Sequence, residues 1–133
     1  EIENQIDLAN YAYQKVKAHK KFESFPLQMG ISNGLVNQLF SSYNALITDR
    51  ERLLFSAGEN NPKIQIINEQ LDILKKDMFK SLVNYQGELK IALEKKNYFY
   101  LHSIFVNNCL HIFKAVLKNP SRLIRLDSPY NFY

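Results

Sequence analysis

"SAGENNPKIQ", residues 56–65, lies between two apolar-periodic stretches and decides how the chain turns. Gly58 is the residue type that ends a helix with a left-handed residue. Asn61 offers a side-chain oxygen to an otherwise orphan N–H. Pro62 suits a first helical position, where its missing N–H is not needed. The decapeptide reads as a stop and a restart between two helices. A link this short makes the two helices antiparallel neighbours.

The stretch before it, "LVNQLFSSYNALITDRERLLFSA", carries a heptad rhythm through Leu39, Tyr43, Leu46, Arg50 and Leu53, with Val36 and Leu54 widening the stripe. The stretch after it predicts a helix from Pro62 to about Asn97. Its stripe is Ile64, Ile67, Leu71, Leu74, Met78, Leu82, Tyr85, Leu89 and Ala92. Upstream, Ile2, Ile6, Ala9, Tyr13 and Val16 repeat at steps of four and three, which predicts a helix over about residues 1–22. Acids at its start and lysines at its end complement the helix dipole. "ESFPLQMGISNG", residues 23–34, breaks the pattern with Pro26, Gly30 and Gly34 and reads as a loop closed by Ser32 or Asn33 as a cap.

From Tyr98 the character changes. Eight of the seventeen tyrosines and phenylalanines fall between Tyr98 and Tyr133. Leu101, Phe105, Cys109, Ile112 and Val116 form one helical face, on which Cys109 reads as a small buried apolar residue. Asn119-Pro120 is expected to end that helix. Residues 98–117 have the length of a membrane span, but His102, Asn107, Asn108, His111 and Lys114 are costly in hydrocarbon, so a soluble amphipathic helix is expected.

The composition fits one folded domain or a piece of one, with 46% hydrophobic residues in 133. A start at Glu1 without Met reads as an excised fragment. The net charge of +4 is unevenly placed: four of the basic residues and only one acid follow Tyr98. One cysteine excludes an internal disulfide.

No motif for chemistry emerges. His102 and His111 are nine apart, not the three or four that puts two ligands on one helical face. "GISNG" lacks the Lys-Ser/Thr and the preceding strand of a phosphate loop. Nothing sets Ser41, Ser42, Ser81 or Cys109 beside an oriented base. Glu69 and Asp72 read as a solvated helix face. Arg50, on the apolar seam, can lay its stem on the core and send its head to an acid of a neighbouring element. Catalytic, cofactor-binding and metal-binding residues are therefore all expected to be none.

"LQMGIS", "YNALITDRERLL" and "ENNPKIQIINEQLDILKKDM", in that order, resemble the periplasmic segment of bacterial polysaccharide chain-length-determinant and exopolysaccharide-transport proteins, of the type often fused to a tyrosine autokinase. "EIENQIDLANYAYQKV" is similar to the upstream helix of that family, and the resemblance covers about residues 1–96. It implies an inner-membrane protein with a largely helical periplasmic part that oligomerises around polysaccharide polymerisation and export machinery. The kinase domain of some relatives is absent from this chain, so no enzyme is expected. Tyr43, Asn44, Arg50, Arg52, Leu53, Leu54, Asn60, Asn61 and Pro62 match the pattern and read as structural or assembly positions.

After Lys96 the chain departs from that pattern, where the family would continue with a charged helix and then a chain returning to the membrane. The expected fold is all-α. Residues 1–97 form an elongated antiparallel hairpin or coiled coil of three long helices, and residues 98–133 an aromatic, basic tail with an amphipathic helix packing on it. The expected function is non-catalytic scaffolding by a homo-oligomer at the periplasmic face of the inner membrane. Membrane association would come through parts absent here, and no nucleic acid would be involved. The alternative is a coiled-coil adaptor whose basic end, with Lys114, Lys118, Arg122 and Arg125, binds nucleic acid or anionic lipid.

Overall fold

The computed structural model describes residues 1–26 and 28–118. The expected stop at Asn119-Pro120, the basic residues Arg122 and Arg125 and the closing "SPYNFY" lie outside the described residues. Among the described residues there are three α-helices and no strand: α1 (Ile2–Ala18), α2 (Gly34–Ala57) and α3 (Pro62–Lys118). They divide into two compact units, one of residues 1–93 and one beginning at Glu94.

Each boundary has a local cause. α1 stops at Ala18, short of the expected residue 22. His19 turns extended (φ −65°, ψ 126°) and Phe22 takes a positive φ of 68°, which a helix cannot absorb. α2 is capped by Asn33, whose Oδ1 accepts from Val36 N–H at 3.0 Å; of the two candidate caps, Asn33 is the one used. At the other end Gly58 donates its N–H to Leu54 O at 3.1 Å, with φ 74° and ψ 173°. That is an extended positive-φ conformation rather than the expected left-handed helical one, and only glycine adopts it at low cost. Asn61 caps α3 as expected: its Oδ1 accepts from Lys63 N–H at 3.0 Å, and Pro62 is the first helical residue.

α3 does not stop near Asn97. It continues through the aromatic stretch to Lys118 as one element. The change at Tyr98 is one of polarity, and polarity does not end a helix. Between Glu88 and Lys118 there is neither proline nor glycine to do so.

The core of the first unit takes Ala9, Ala12 and Val16 from α1, Val36, Phe40, Tyr43 and Ile47 from α2, and Ile67, Leu71, Met78, Leu82 and Tyr85 from α3. On α3 the buried residues are those the sequence stripe named, with Leu74 and Leu89 half-buried at its margin. On α1 the fully covered positions include Ala12, a residue off the expected stripe, while Tyr13 is half-buried and meets Phe79 edge-on at 5.5 Å. On α2 the centre of the seam is rotated by one residue: Phe40 and Ile47 are buried, and Leu39, Leu46 and Leu53 are only half-covered. The reason is that α2 packs against the 19–33 connection as well as against α3. Each fully buried leucine contributes about 1.5–3 kcal/mol, so this cluster outweighs the surface ion pairs.

Polar pairs link the same helices. Along α1 and just beyond it, Gln5, Asn10, His19 and Lys21 bond to Tyr85, Gln86, Lys75 and Asp72 of α3. From α2, Arg50 bonds to Asn68 of α3.

Candidate functional site

The most distinctive region of the first unit is the connection between α1 and α2. Phe25, Met29 and Ile31 are buried, whereas Pro26, Gln28 and Gly30 are exposed. This alternation belongs to extended chain, yet among the described residues no strand lies beside it to take its backbone hydrogen bonds. Side-chain amides take them instead. Asn44 Oδ1 accepts from Phe25 N–H at 2.7 Å, while its Nδ2 donates to Phe25 O at 2.9 Å. Gln5 Nε2 donates to Gly30 O at 3.1 Å, and its Oε1 accepts from Ser32 N–H at 2.9 Å. Asn37 Nδ2 donates to Ile31 O at 2.8 Å. A side-chain amide presents N–H donors and a carbonyl acceptor, the same two functions a neighbouring peptide group would offer. Tyr85 joins by donating its hydroxyl to Gln5 Oε1 at 2.9 Å, so the clamp reaches α3.

Phe25 is the apolar counterpart of this clamp. Its ring stacks on His19 at 3.7 Å and meets Phe40 and Tyr43 edge-on, each at 5.0 Å. His19 also meets Tyr43 edge-on at 5.5 Å. Burial lowers the His19 pKa, and the nearby Lys75 ammonium, which donates to His19 O at 3.1 Å, lowers it further. The backbone and the charge of Glu23 oppose that shift without reversing it, and neither imidazole nitrogen closes a hydrogen bond of good geometry. Burial raises the Tyr43 and Tyr85 hydroxyls above their usual range, so both remain neutral donors at ordinary pH.

The sequence-selected positions separate into three groups. Tyr43, Asn44 and Arg50 converge on the connection. The Arg50 guanidinium lies 3.7 Å from the Phe22 ring centroid, and its Nε donates to Asn68 Oδ1 at 2.8 Å. Arg50 therefore ties α2 to the connection and to α3, but through a ring and an amide in place of the expected acid. Arg52, Leu53 and Leu54 sit further along α2. Arg52 pairs with Asp49 on its own helix at 2.6 Å, largely exposed, while Leu53 and Leu54 are half-buried. Asn60, Asn61 and Pro62 form the turn, where Asn61 caps α3 and Asn60 and Pro62 are exposed.

Sequence reading missed Gln5, Phe25, Met29, Ile31 and Asn37. The available signal was the apolar alternation within "FPLQMGI", a two-residue period inside a stretch assigned to loop because of Pro26 and Gly30. Cys109, expected to be buried, is exposed. Its helical position is as expected, but none of the described residues covers it. Glu69 is exposed, as is Asp72, which pairs with Lys21 at 3.1 Å.

Chemically, the site offers interlocked amides, stacked rings and one weakly basic imidazole. Such an arrangement fixes the path of a chain. No helix among the described residues is long and apolar enough to cross a membrane. No protein family model, no curated protein and no solved structure matches this chain.

Proposed function

We propose that this chain is a non-catalytic helical scaffold of the polysaccharide co-polymerase kind, acting at the periplasmic face of a bacterial inner membrane through lateral association of identical copies. The corner at Gly58–Pro62 carries the reading. It coincides with the "ENNP" piece of the resemblance, and it returns the chain so that Arg50, eight residues before Gly58, reaches Asn68, six after Pro62.

Within residues 1–93 the proposed arrangement is an antiparallel helical hairpin with coiled-coil character. Its support is that residues near the start of α1, Gln5 and Asn10, meet Tyr85 and Gln86 of α3, whereas His19 and Lys21 beyond its end meet Lys75 and Asp72. The heptad steps of the α3 stripe agree with it. Tyr43, Asn44 and Arg50 act by fixing the α1–α2 connection. Asn60, Asn61 and Pro62 act by fixing the return. A scaffold that sets glycan length needs a reproducible shape more than it needs reactive groups, and every one of these contacts restricts shape.

Sedimentation equilibrium on the 133-residue chain tests the reading. A closed homo-oligomer is the expected result, and a chain monomeric at every accessible concentration rejects lateral assembly as the mode of action. Neighbouring reading frames supply the biological half of the test. Glycosyltransferases, a polymerase or an export channel beside this gene are expected, and their absence turns the assignment toward a generic coiled-coil adaptor.

A further inference from the structure

The second unit carries a surface that the scaffold reading does not use. At about 100° per residue, the helix from Asn97 to Lys118 places Phe99, Leu101, Phe105, Leu110, Ile112 and Phe113 within one arc about 180° wide. Each of the six is at least 51% exposed. Ser103, Asn107, His111, Lys114 and Lys118 gather on the opposite side. Tyr100 and Ile104 fall among them, and His102 is the polar exception within the apolar arc. The polar side carries cations and no compensating acid, because there is no Asp or Glu anywhere between Asn97 and Lys118.

We infer that residues 97–118 form a membrane-surface helix, lying in the plane of an anionic lipid bilayer with the phenylalanine face in the acyl boundary and Lys114 and Lys118 at the headgroups. Three observations choose this occupant. The arc is much wider than the narrow seam by which one helix grips another. A second copy of the same helix would bring lysines without a carboxylate to meet them, whereas anionic headgroups complement them. No helix among the described residues is long and apolar enough to cross a membrane, so contact of this segment with a bilayer would be along its surface. This inference stands apart from the scaffold reading, since it concerns which part of the chain touches lipid and not what the oligomer does.

The chain contains no tryptophan, so Phe105→Trp supplies a single fluorescent reporter on the apolar arc. The probe is vesicles of phosphatidylcholine with or without about one-third phosphatidylglycerol, the latter giving the negative surface that attracts basic segments. The expected result is a blue shift and co-sedimentation with the anionic vesicles only, weakened by added salt. In the otherwise unmodified chain, Phe105→Glu with Phe113→Glu should weaken partitioning by about tenfold for each phenylalanine lost from the boundary. Lys114→Gln with Lys118→Gln should weaken it by about fivefold per lysine and reduce the salt sensitivity of the remaining binding.

Helical circular dichroism of all variants reports whether they fold. If the glutamate pair does not fold, the lysine pair alone decides. Equal binding to neutral and anionic vesicles overturns the proposal, as does no binding to either. It is also overturned if the glutamate pair abolishes self-association without changing vesicle binding, which makes the arc a contact between copies. Salt-sensitive retention of duplex DNA with no vesicle binding assigns the lysines to nucleic acid and overturns it equally.

Discussion

Residues 62–93 and 94–118 belong to one helix, obey the same helical period and contain the same kinds of apolar residue, yet they have different surroundings. In the first stretch Leu71, Met78 and Leu82 are 1%, 0% and 0% exposed; in the second, Leu101, Phe105 and Ile112 are 65%, 67% and 64% exposed. Backbone hydrogen bonding along a helix is local, and nothing between Glu88 and Lys118 interrupts it. Burial is non-local, and requires that other segments supply matching faces. α1, α2 and their connection do so for the first stretch. An apolar period therefore specifies which side of a helix seeks a partner without specifying what that partner is.

The sharpest way to break this comparison is to make one substitution in each stretch. Leu71→Ala removes a side chain packed on every side and should cost about 2–5 kcal/mol. Leu101→Ala changes the same residue type on the same helix and should alter stability by less than about 0.5 kcal/mol. Urea denaturation followed by helical circular dichroism measures both. Comparable losses would mean that residues 98–118 are buried in solution and that the contrast between the stretches is false.

A second contrast lies within the first unit, between its helices and the α1–α2 connection. The helices satisfy their own backbone. The connection depends on Gln5, Asn37 and Asn44. Asn44→Ala leaves the N–H and C=O of Phe25 without partners in a half-buried setting, at a cost of about 1–3 kcal/mol. Amide hydrogen exchange localises the damage: Phe25 N–H should lose protection while α3 retains it. Uniform loss across both would show that the connection and the helix core open as one unit.

His19 allows the same comparison by pH. Its pKa is lowered in the folded chain, so the unfolded chain binds the extra proton more readily. Its contribution to stability is fully present above the ordinary value of 6.5 and is lost as the pH falls from there through the lower folded-state pKa. Denaturation midpoints should decline over that window in the parent and flatten there in His19→Phe, which retains a ring against Phe25. An unchanged slope in the variant would move the proton linkage to another group.

How much of this was readable beforehand follows the same division. The α3 stripe from Ile64 to Tyr85, the Asn61-Pro62 restart and the all-helical class were legible, because each depends on local chemistry or on the period of a single segment. The rotation of the α2 seam to Phe40 and Ile47 was not, since it depends on a connection packing across that helix. Gln5 was illegible as a clamp for a different reason. Its two oxygen-bound partners, Ser32 and Tyr85, lie 27 and 80 residues away, and no spacing rule links them. Asn44 stands in the "YNALITDRERLL" resemblance, but its hold on Phe25, nineteen residues earlier, depends on how the connection packs and on no local pattern. The helix ending expected near Asn97 does not occur, because the shift in polarity there comes with no proline or glycine to break the helix.

Gly87 gives a small stabilising effect and tests the premise shared by both halves of the comparison, that α3 is continuous where one stretch gives way to the other. It is half-buried and helical, and a Cβ built on it meets nothing within 4 Å. Gly87→Ala therefore introduces no clash and removes the entropy cost of a glycine inside a helix, which should stabilise the chain by about 0.5–1 kcal/mol. The gain is a property of the backbone and needs no partner face, unlike that of Leu71. Hydrogen exchange should slow from Gln86 through Asn97 in this variant. If stability rises without that slowing, the gain comes from packing within the first unit; if neither changes, α3 is already frayed at residue 87 and the two stretches are separate helices in solution.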